Sequence, residues 1–151
     1  MRVTEADLSD PRVTTLIALH QRNMLESSPP GTSFALDLAG LSGPQITIWA
    51  VWADDVVAGI GAIKQLSPTH GEIKSMRTDP AHLRQGVAAL LLDRIMEHAR
   101  STGITRLSLE TGTGPVFEPA LALYRKRGFT NGPAFGDYKP TAFNQYLHLE
   151  L

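Results

Sequence analysis

The spacing of apolar residues along the first third of the chain predicts a short strand followed by two helices. Residues 1–5 fit the strand, and Ser9-Asp10-Pro11 is a typical cap for a helix that follows it. The loop at 27–32 ends this helix, and the apolar residues of 34–41 predict a second, shorter one. The positions expected on the buried face of the first helix are Val13, Leu16, Ile17, Leu19 and Met24.

The middle of the chain is rich in β-branched and aromatic residues, which favour strands. We predict three strands, at 45–53, 56–66 and 72–78, with a tight hairpin turn at Asp54-Asp55 between the first two. Three successive strands of this kind indicate a sheet.

The last third of the chain alternates between helices and strands. A helix is predicted over about 84–102, a strand over 105–111, and a helix centred on Leu121 that ends at Gly128. Residues 145–151 alternate between polar and apolar side chains and form the final predicted strand. The predicted order is therefore strand, two helices, three strands, helix, strand, helix, strand.

Length and composition fit one small domain. With 151 residues, of which 42% are hydrophobic, the chain can bury one core but has no room for two domains of ordinary size. No linker or internal repeat divides the sequence, so we expect a single domain over residues 1–151. A formal net charge of -1 gives no global attraction for nucleic acid or for an anionic membrane surface.

The absence of cysteine excludes a disulfide framework, a thiolate nucleophile and a cysteine metal site. The five histidines are scattered over different elements without metal-ligand spacing, so we expect no metal, and surface or packing roles for each. The alternative is that one of them assists proton transfer, but nothing in the sequence selects it. The first residues lack the apolar core of a signal peptide, and no apolar run approaches membrane-spanning length. We therefore expect a cytoplasmic protein.

One segment, Met76 to Leu92, combines the end of a strand, a basic loop with a glycine and the first turns of a helix. Backbone N–H groups at a helix N-terminus have no partner within the helix, and together with the helix dipole they attract phosphate. Gly86 lets the backbone approach an anion closely, and Arg84 adds a positive charge. The segment predicts a phosphate cradle, although an ordinary helix start would have a similar sequence.

This segment resembles the first of two motifs that mark the Gcn5-related N-acetyltransferase family. The family pattern is Gln or Arg, two residues, Gly, one residue, then Gly or Ala; the last two landmarks fall on Gly86 and Ala88, and Leu83 occupies the first. The resemblance implies acetyl-CoA as cosubstrate. The residues implied to hold its pyrophosphate are Arg84, Gln85, Gly86, Val87, Ala88 and Ala89.

The second motif of the family is a helix that ends in Leu-Tyr, followed by a few polar residues and Gly-Phe. Leu123-Tyr124 and Gly128-Phe129 resemble it, in the right order after the first motif. The family commonly places the hydroxyl of this tyrosine near the cofactor sulfur, so Tyr124 is implied as the general acid that protonates the departing thiolate. The alternative is that Tyr124 only packs its ring on the sheet.

The resemblance implies an α/β (α+β) fold with a mixed, mostly antiparallel sheet and helices on both faces. In the family the parallel fourth and fifth strands splay apart, and the acetyl-bearing arm of acetyl-CoA pairs with the free edge of the fourth strand. By this resemblance Met76 and Thr78, with Arg77 between them, would bind the arm through backbone groups.

Glu72 is the leading candidate for the general base, because part of the family uses a glutamate at this position to deprotonate the amine through water. Glu72 lies four residues before Met76, so strand alternation places both on one face unless a bulge intervenes. Glu110, on the fifth predicted strand, is the other carboxylate that could face the gap, or it could bind a cationic substrate. Water alone is the third alternative.

The resulting hypothesis is an acetyl-CoA-dependent N-acetyltransferase that moves the acetyl group directly to the amine of a small molecule or amino acid. Direct transfer is favoured because no cysteine is available to hold an acyl intermediate as a thioester; an acyl-enzyme on serine is the alternative. Two alternatives stay open, a protein or peptide N-acetyltransferase and a catalytically silent acyl-CoA-binding module. A homodimer through an exposed sheet edge, such as the final strand, is compatible with the sequence.

Overall fold

The computed structural model describes all 151 residues and contains one mixed sheet of seven strands. The strands are β1 (Arg2–Glu5), β2 (Ile46–Ala53), β3 (Val56–Ser67), β4 (His70–Thr78), β5 (Arg106–Gly112), β6 (Thr130–Gly132) and β7 (Asn144–Glu150). They lie side by side in the order β1-β2-β3-β4-β5-β7-β6. Only β4 and β5 run parallel; every other neighbouring pair is antiparallel.

Four helices connect these strands. They are α1 (Pro11–Ser27), α2 (Leu38–Leu41), α3 (Val87–Ser101) and α4 (Glu118–Lys126), with single 3-10 turns at Pro80–His82 and Pro115–Phe117. As predicted, α1 starts at a cap: the Asp10 carboxylate accepts the Arg12 backbone N–H at 2.9 Å, and Pro11 occupies the first helical position. None of the helices combines the length and the apolar character needed to cross a membrane.

The two faces of the sheet bury separate cores. On one face, apolar side chains of α1 and α2, such as Val13 and Ile17, pack on β2 and β3. On the other face, side chains of α3 and α4, such as Leu91 and Leu121, share a core with side chains of β2, β3, β4, β5 and β7. Each helix contributes one apolar stripe, as its sequence spacing predicts. The sheet therefore separates an α1 side of the molecule from an α4 side.

The predicted fold class and order of elements are confirmed, with one addition and one shift. The pattern of apolar residues does not predict β6, because its three residues are all exposed and do not alternate. The helix α3 begins at Val87 rather than near Arg84. Arg84 and Gly86 have φ angles of 62° and 82°, which a right-handed helix cannot include.

The expectation that the final strand presents an exposed edge is wrong. β7 lies between β5 and β6 and pairs with both, because the chain returns through the short β6 before β7 begins. The two edge strands of the sheet are β1 and β6. A dimer formed by strand pairing would have to use one of these.

We expect Gly59→Ala to lower the free energy of unfolding by about 1–3 kcal/mol, through overpacking. A Cβ atom at Gly59 of β3 would overlap the Val87 side chain at the start of α3 and lie 3.1 Å from the Arg77 carbonyl oxygen. Urea denaturation followed by circular dichroism measures the change.

Gly43→Ala is the matched control, because a Cβ there would have no atom closer than 3.6 Å. We expect this variant to differ from wild type by less than about 0.5 kcal/mol. Equal stability of Gly59→Ala and wild type would contradict the close approach of α3 to β3.

Candidate active site

The parallel strands β4 and β5 separate soon after they begin. They pair only over His70–Glu72 and Arg106–Ser108, and beyond Glu72 the edge of β4 that faces β5 has no partner strand. A cavity of about 180 Å³ occupies this gap. The splay expected from the family resemblance is thus present, and it exposes backbone groups of β4 to anything that enters the cavity.

A β-bulge at Ser75 changes the direction of the side chains in the second half of β4. Ser75 has a φ angle of 57°, and three steps along β4, from Lys74 to Arg77, oppose two steps along β3, from Ala62 to Ile60. The extra residue reverses the alternation of every side chain that follows it.

The bulge corrects the predicted relation between Glu72 and Met76. Met76 lies over Gly61 on the side of α3, where its sulfur would be 2.6 Å from a Cβ placed on that glycine. Arg77 instead points to α1, where its Nε donates to Nδ1 of His20 at 3.1 Å. Glu72 therefore does not share a face with Met76, since the intervening bulge breaks the strand alternation.

The cavity reaches both sides of the sheet, and its two sides differ in chemistry. On the α4 side the lining is mostly apolar, with Phe117, Ala120 and the ring of Tyr124. On the α1 side it is polar and charged. The charged or ionisable side chains there are His20, Glu72, Lys74, Arg77 and Glu110. Thr78 and the loop 84–89 do not line the cavity.

The loop before α3 has the geometry of an anion cradle. The first bond of the helix runs from the Leu90 N–H to the Gly86 carbonyl at 3.0 Å, so the N–H groups of residues 87–89 precede the helical ladder. A Cβ atom at Gly86 would meet no atom within 4 Å, and the Arg84 side chain is exposed and bonded to no other side chain. These residues fit a phosphate group, which would meet backbone donors, the helix dipole and a free guanidinium.

Tyr124 is held at the cavity with a free hydroxyl group. The residue is buried, its ring packs edge-on against Phe129 with centroids 5.7 Å apart, and its hydroxyl makes no hydrogen bond within the protein. Burial raises the pKa of Tyr124 well above the ordinary value near 10. The hydroxyl is therefore protonated at physiological pH and can donate a hydrogen bond or a proton into the cavity.

Buried Glu72 forms a cluster with the partly buried side chains of Lys74 and Tyr138. The Lys74 ammonium lies 3.2 Å from Glu72 Oε2 and 3.0 Å from the Tyr138 hydroxyl, which itself donates to the same carboxylate oxygen. Burial, and then the charge of Glu72, raise the pKa of Tyr138. Tyr138 stands on the loop before β7, and Phe34 packs edge-on against its ring at 5.0 Å. Phe34, Glu72 and Lys74 line the α1 side of the cavity.

Of the two candidate bases, Glu110 has fewer hydrogen-bond partners than Glu72. Its Oε1 accepts one hydrogen bond from Asn144 Nδ2 at 2.6 Å, and it takes part in no ion pair. Burial raises the pKa of Glu110 to about 6, because the loss of hydration outweighs the bond from Asn144 and the attraction of Lys74. A carboxylate with a pKa near neutrality can exchange protons with a substrate under physiological conditions.

His20 is a functional candidate that the sequence analysis does not single out from the other histidines. It is buried on α1, and burial, with the nearby charges of Arg77 and Lys74, lowers its pKa to about 3. The ring is therefore neutral at pH 7. The sequence spacing indicates that His20 is buried. It follows the buried Leu16 and Ile17 by four and three residues, which places it on the same helix face.

Two other histidines take part in a separate buried network. His70 Nε2 and His148 Nδ1 each lie 2.7 Å from the hydroxyl oxygen of Ser108, and His148 Nε2 donates to the Pro133 carbonyl at 2.8 Å. This chain of bonds links β4, β5 and β7 where the strands are still paired, outside the cavity.

No group of three or more His, Asp or Glu side chains in the structure could hold a metal ion.

The chain is similar to N-acetyltransferases over nearly its whole length. The sequence profile of the acetyltransferase (GNAT) family matches residues 13–129. The uncharacterized N-acetyltransferase YedL of Escherichia coli K12 is 46% identical over 145 residues, which cover 96% of this chain and 91% of YedL. The uncharacterized N-acetyltransferase YsnE of Bacillus subtilis is 47% identical over 138 residues, which cover 91% of each chain.

Solved structures share the fold. A protein of Klebsiella pneumoniae described as an acyl-CoA N-acyltransferase superimposes with a TM-score of 0.79 at 25% identity, over 99% of this chain and 97% of that one. The structure of yncA of Salmonella typhimurium, described as an acetyltransferase with its cofactor acetyl-CoA, gives a TM-score of 0.75 at 17% identity. That match covers 99% of this chain and 92% of yncA.

We expect acid to destabilise the protein less when His20 is replaced by Gln. The folded pKa of about 3 lies below the ordinary value of 6.5, so between these values only the unfolded chain binds the proton. The stability contributed by neutral His20 is complete above pH 6.5 and is lost as the pH falls. From pH 7 to pH 5 wild type should lose about 2 kcal/mol more than His20→Gln.

Urea denaturation of both proteins at the two pH values measures this difference. The Gln side chain keeps an oxygen that can accept the Arg77 N–H. The difference between the two proteins therefore reports the titration of His20 and not the loss of a hydrogen bond. Equal losses for the two proteins would show that His20 titrates alike in the folded and unfolded states.

Proposed function

We propose that this chain, which belongs to the acetyltransferase (GNAT) family, transfers an acetyl group from acetyl-CoA directly to the amine of a small molecule or amino acid. The observation that carries the proposal is the cavity through the sheet between β4 and β5, with Tyr124 on one side and Glu110 on the other. Amine acetylation needs a proton acceptor for the amine and a donor for the departing thiolate, and these two side chains can supply them.

The cofactor would bind along β4 and at the start of α3. The N–H groups of residues 87–89, with Arg84 and Gln85 beside them, would hold the pyrophosphate. Backbone groups of Met76 and Thr78 would pair with the amide groups of the pantetheine arm, because the edge of β4 facing β5 is free there. The shared fold of yncA, whose structure holds acetyl-CoA, supports this placement.

Tyr124 would act as the general acid. Its hydroxyl is free of protein partners and protonated, and its neighbours on the α4 side are apolar, which keeps water from competing for the proton. When bound, acetyl-CoA supplies the activated acetyl group. Tyr124 would then give its proton to the leaving sulfur and recover one from solvent.

Glu110 fits the role of general base better than Glu72. Glu72 already accepts two hydrogen bonds on one oxygen, from Lys74 and Tyr138, so these contacts fix its side chain and occupy that oxygen. Glu110 has a single neutral partner and a pKa of about 6. We therefore assign proton removal from the amine to Glu110, and the positioning of Lys74 and Tyr138 to Glu72.

A contact between two segments on the α1 side favours a small acceptor over a protein chain. Phe34, on the segment between α1 and α2, contacts Tyr138, on the loop before β7, so that the two segments meet across this side of the cavity. A space of about 180 Å³ that is bridged in this way suits an amine of few atoms better than an extended peptide.

We expect Tyr124→Phe to lower kcat by about 100-fold or more, since it removes the proton donor and little else. Its affinity for acetyl-CoA should stay close to that of wild type. Release of free thiol across a panel of small amines measures turnover, and calorimetry measures binding.

Tyr146→Phe is the matched control, because that hydroxyl donates to the Lys139 carbonyl outside the cavity; it should retain most of the activity. Full activity of Tyr124→Phe would remove this residue from the mechanism. If wild type binds acetyl-CoA but acetylates no amine, the protein is a silent acyl-CoA-binding module.

We expect kcat/KM of wild type to rise with pH through an apparent pKa near 6, because Glu110 must be ionised to accept a proton. Glu110→Gln should abolish this acidic limb and lower kcat/KM by about 100-fold. Glu72→Gln should disturb Lys74 and Tyr138 but keep the limb. A limb that disappears in Glu72→Gln and persists in Glu110→Gln would identify Glu72 as the base.

A further inference from the structure

We propose that the acceptor amine also carries a carboxylate, and that the guanidinium of Arg77 binds this carboxylate. The inference rests on the proposed acetyl transfer and narrows its substrate class to amino acids and related amino-carboxylates. It follows from the charges that the cavity leaves unpaired, from the position of Arg77, and from the hydrogen bond that orients it.

The cavity contains four side chains that carry charge at neutral pH, and only two of them form an ion pair. Lys74 and Glu72 lie 3.2 Å apart and neutralise each other. Arg77 and Glu110 take part in none of the ion pairs of the structure, although both are partly buried. Removing a charge from water without a partner is unfavourable, so a ligand that brings the opposite charges is stabilised there.

Arg77 is held in a way that leaves its carboxylate-binding groups free. Its Nε donates to Nδ1 of His20 at 3.1 Å, and neither terminal nitrogen has a partner in the protein. The neutral ring of His20 accepts this bond without cancelling the positive charge. A fixed planar guanidinium with open terminal N–H groups is suited to carboxylate recognition.

The bulge at Ser75 places Arg77 on the acceptor side of the sheet. The side chain points to α1, whereas Met76 and the start of α3 lie on the opposite face. This position separates Arg77 from the groups proposed to bind the phosphates of the cofactor. It also places Arg77 on β4 across the gap from Glu110 on β5, and both line the same cavity.

An amino-carboxylate matches these two unpaired groups. Its carboxylate would neutralise Arg77, and its amine would approach Glu110, which removes a proton before transfer. An amine without a carboxylate would enter the site but leave the Arg77 charge buried and unpaired. Arg77 would thus determine specificity between acceptors that have the same amine.

The test compares each proteinogenic L-amino acid with its α-carboxamide as acceptor, with kcat/KM measured by free thiol release at saturating acetyl-CoA. We expect wild type to favour the acid over the amide by about tenfold or more for the amino acids it accepts. A carboxamide lowers the pKa of the neighbouring amine, so intrinsic reactivity favours the amide and cannot produce this preference.

In Arg77→Gln the ratio of acid to amide should fall to one or below, and Arg77→Lys should be intermediate because it keeps the charge without the planar fork. Arg100→Gln removes an exposed cation of α3 and should keep the wild-type ratio. Transfer to amines with no preference for the acid, or an unchanged ratio in Arg77→Gln, would overturn the inference while leaving the proposed function intact.

A binding measurement separates the two proposals if no acceptor is turned over. Calorimetry on the protein saturated with CoA should show binding of amino acids but not of their carboxamides, and Arg77→Gln should abolish the difference. That result would uphold the carboxylate site although acetyl transfer failed. Equal binding of acid and amide, or binding of neither, would overturn it.

Discussion

The β-bulge at Ser75 is the feature on which the geometry of the cavity depends. Without an extra residue in β4, strand alternation would direct Arg77 to the face that Met76 now occupies. The bulge places a non-glycine residue at a φ angle of 57° and leaves its buried hydroxyl without a partner, both of which are unfavourable. The surrounding sheet stabilises this conformation, which directs Arg77 to the α1 face and Met76 to the α3 face where β4 leaves β5.

The charge distribution around the cavity follows from that arrangement. The α4 side carries mostly apolar side chains and the neutral hydroxyl of Tyr124, so it suits a thioester and a leaving sulfur. The α1 side carries Glu72, Lys74, Arg77 and Glu110, so it suits a polar acceptor. The sheet separates the two environments, and only the gap between β4 and β5 joins them. The proposed thioester and the proposed polar acceptor would each approach this gap from the side whose lining matches its polarity.

Local sequence signals predict the parts of the site that depend on one element. Gly86 and the apolar run after it predict a helix preceded by a loop; α3 is present, but it begins at Val87 rather than near Arg84. The second motif singles out Tyr124, which the structure places at the cavity. The role of Gly86 in cofactor binding and the role of Tyr124 in catalysis stay predictions. His20 had a usable signal in its helical spacing from Leu16 and Ile17, but a histidine on a buried face is more often a packing residue.

The remaining parts of the site depend on contacts between distant segments. Serine is not a residue that predicts a left-handed conformation, so the sequence gives no indication of the bulge at Ser75. Tyr138 and Glu72 are 66 positions apart, and no local pattern pairs them. The preference for Glu110 over Glu72 arises from those contacts, since Lys74 and Tyr138 occupy one carboxylate and leave the other free. Edge strands are equally a tertiary property, because the short β6 decides that β7 is internal.

The central claim is that the gap between β4 and β5 receives the acetyl-bearing arm of acetyl-CoA while the start of α3 binds its phosphates. A calorimetric titration with acetyl-CoA, repeated with the adenosine bisphosphate fragment that lacks the arm, tests both contacts together. We predict tight binding of acetyl-CoA and an affinity for the fragment that is weaker by more than about tenfold. Equal affinities would contradict a role for the gap, and no binding of either would contradict the cradle as well.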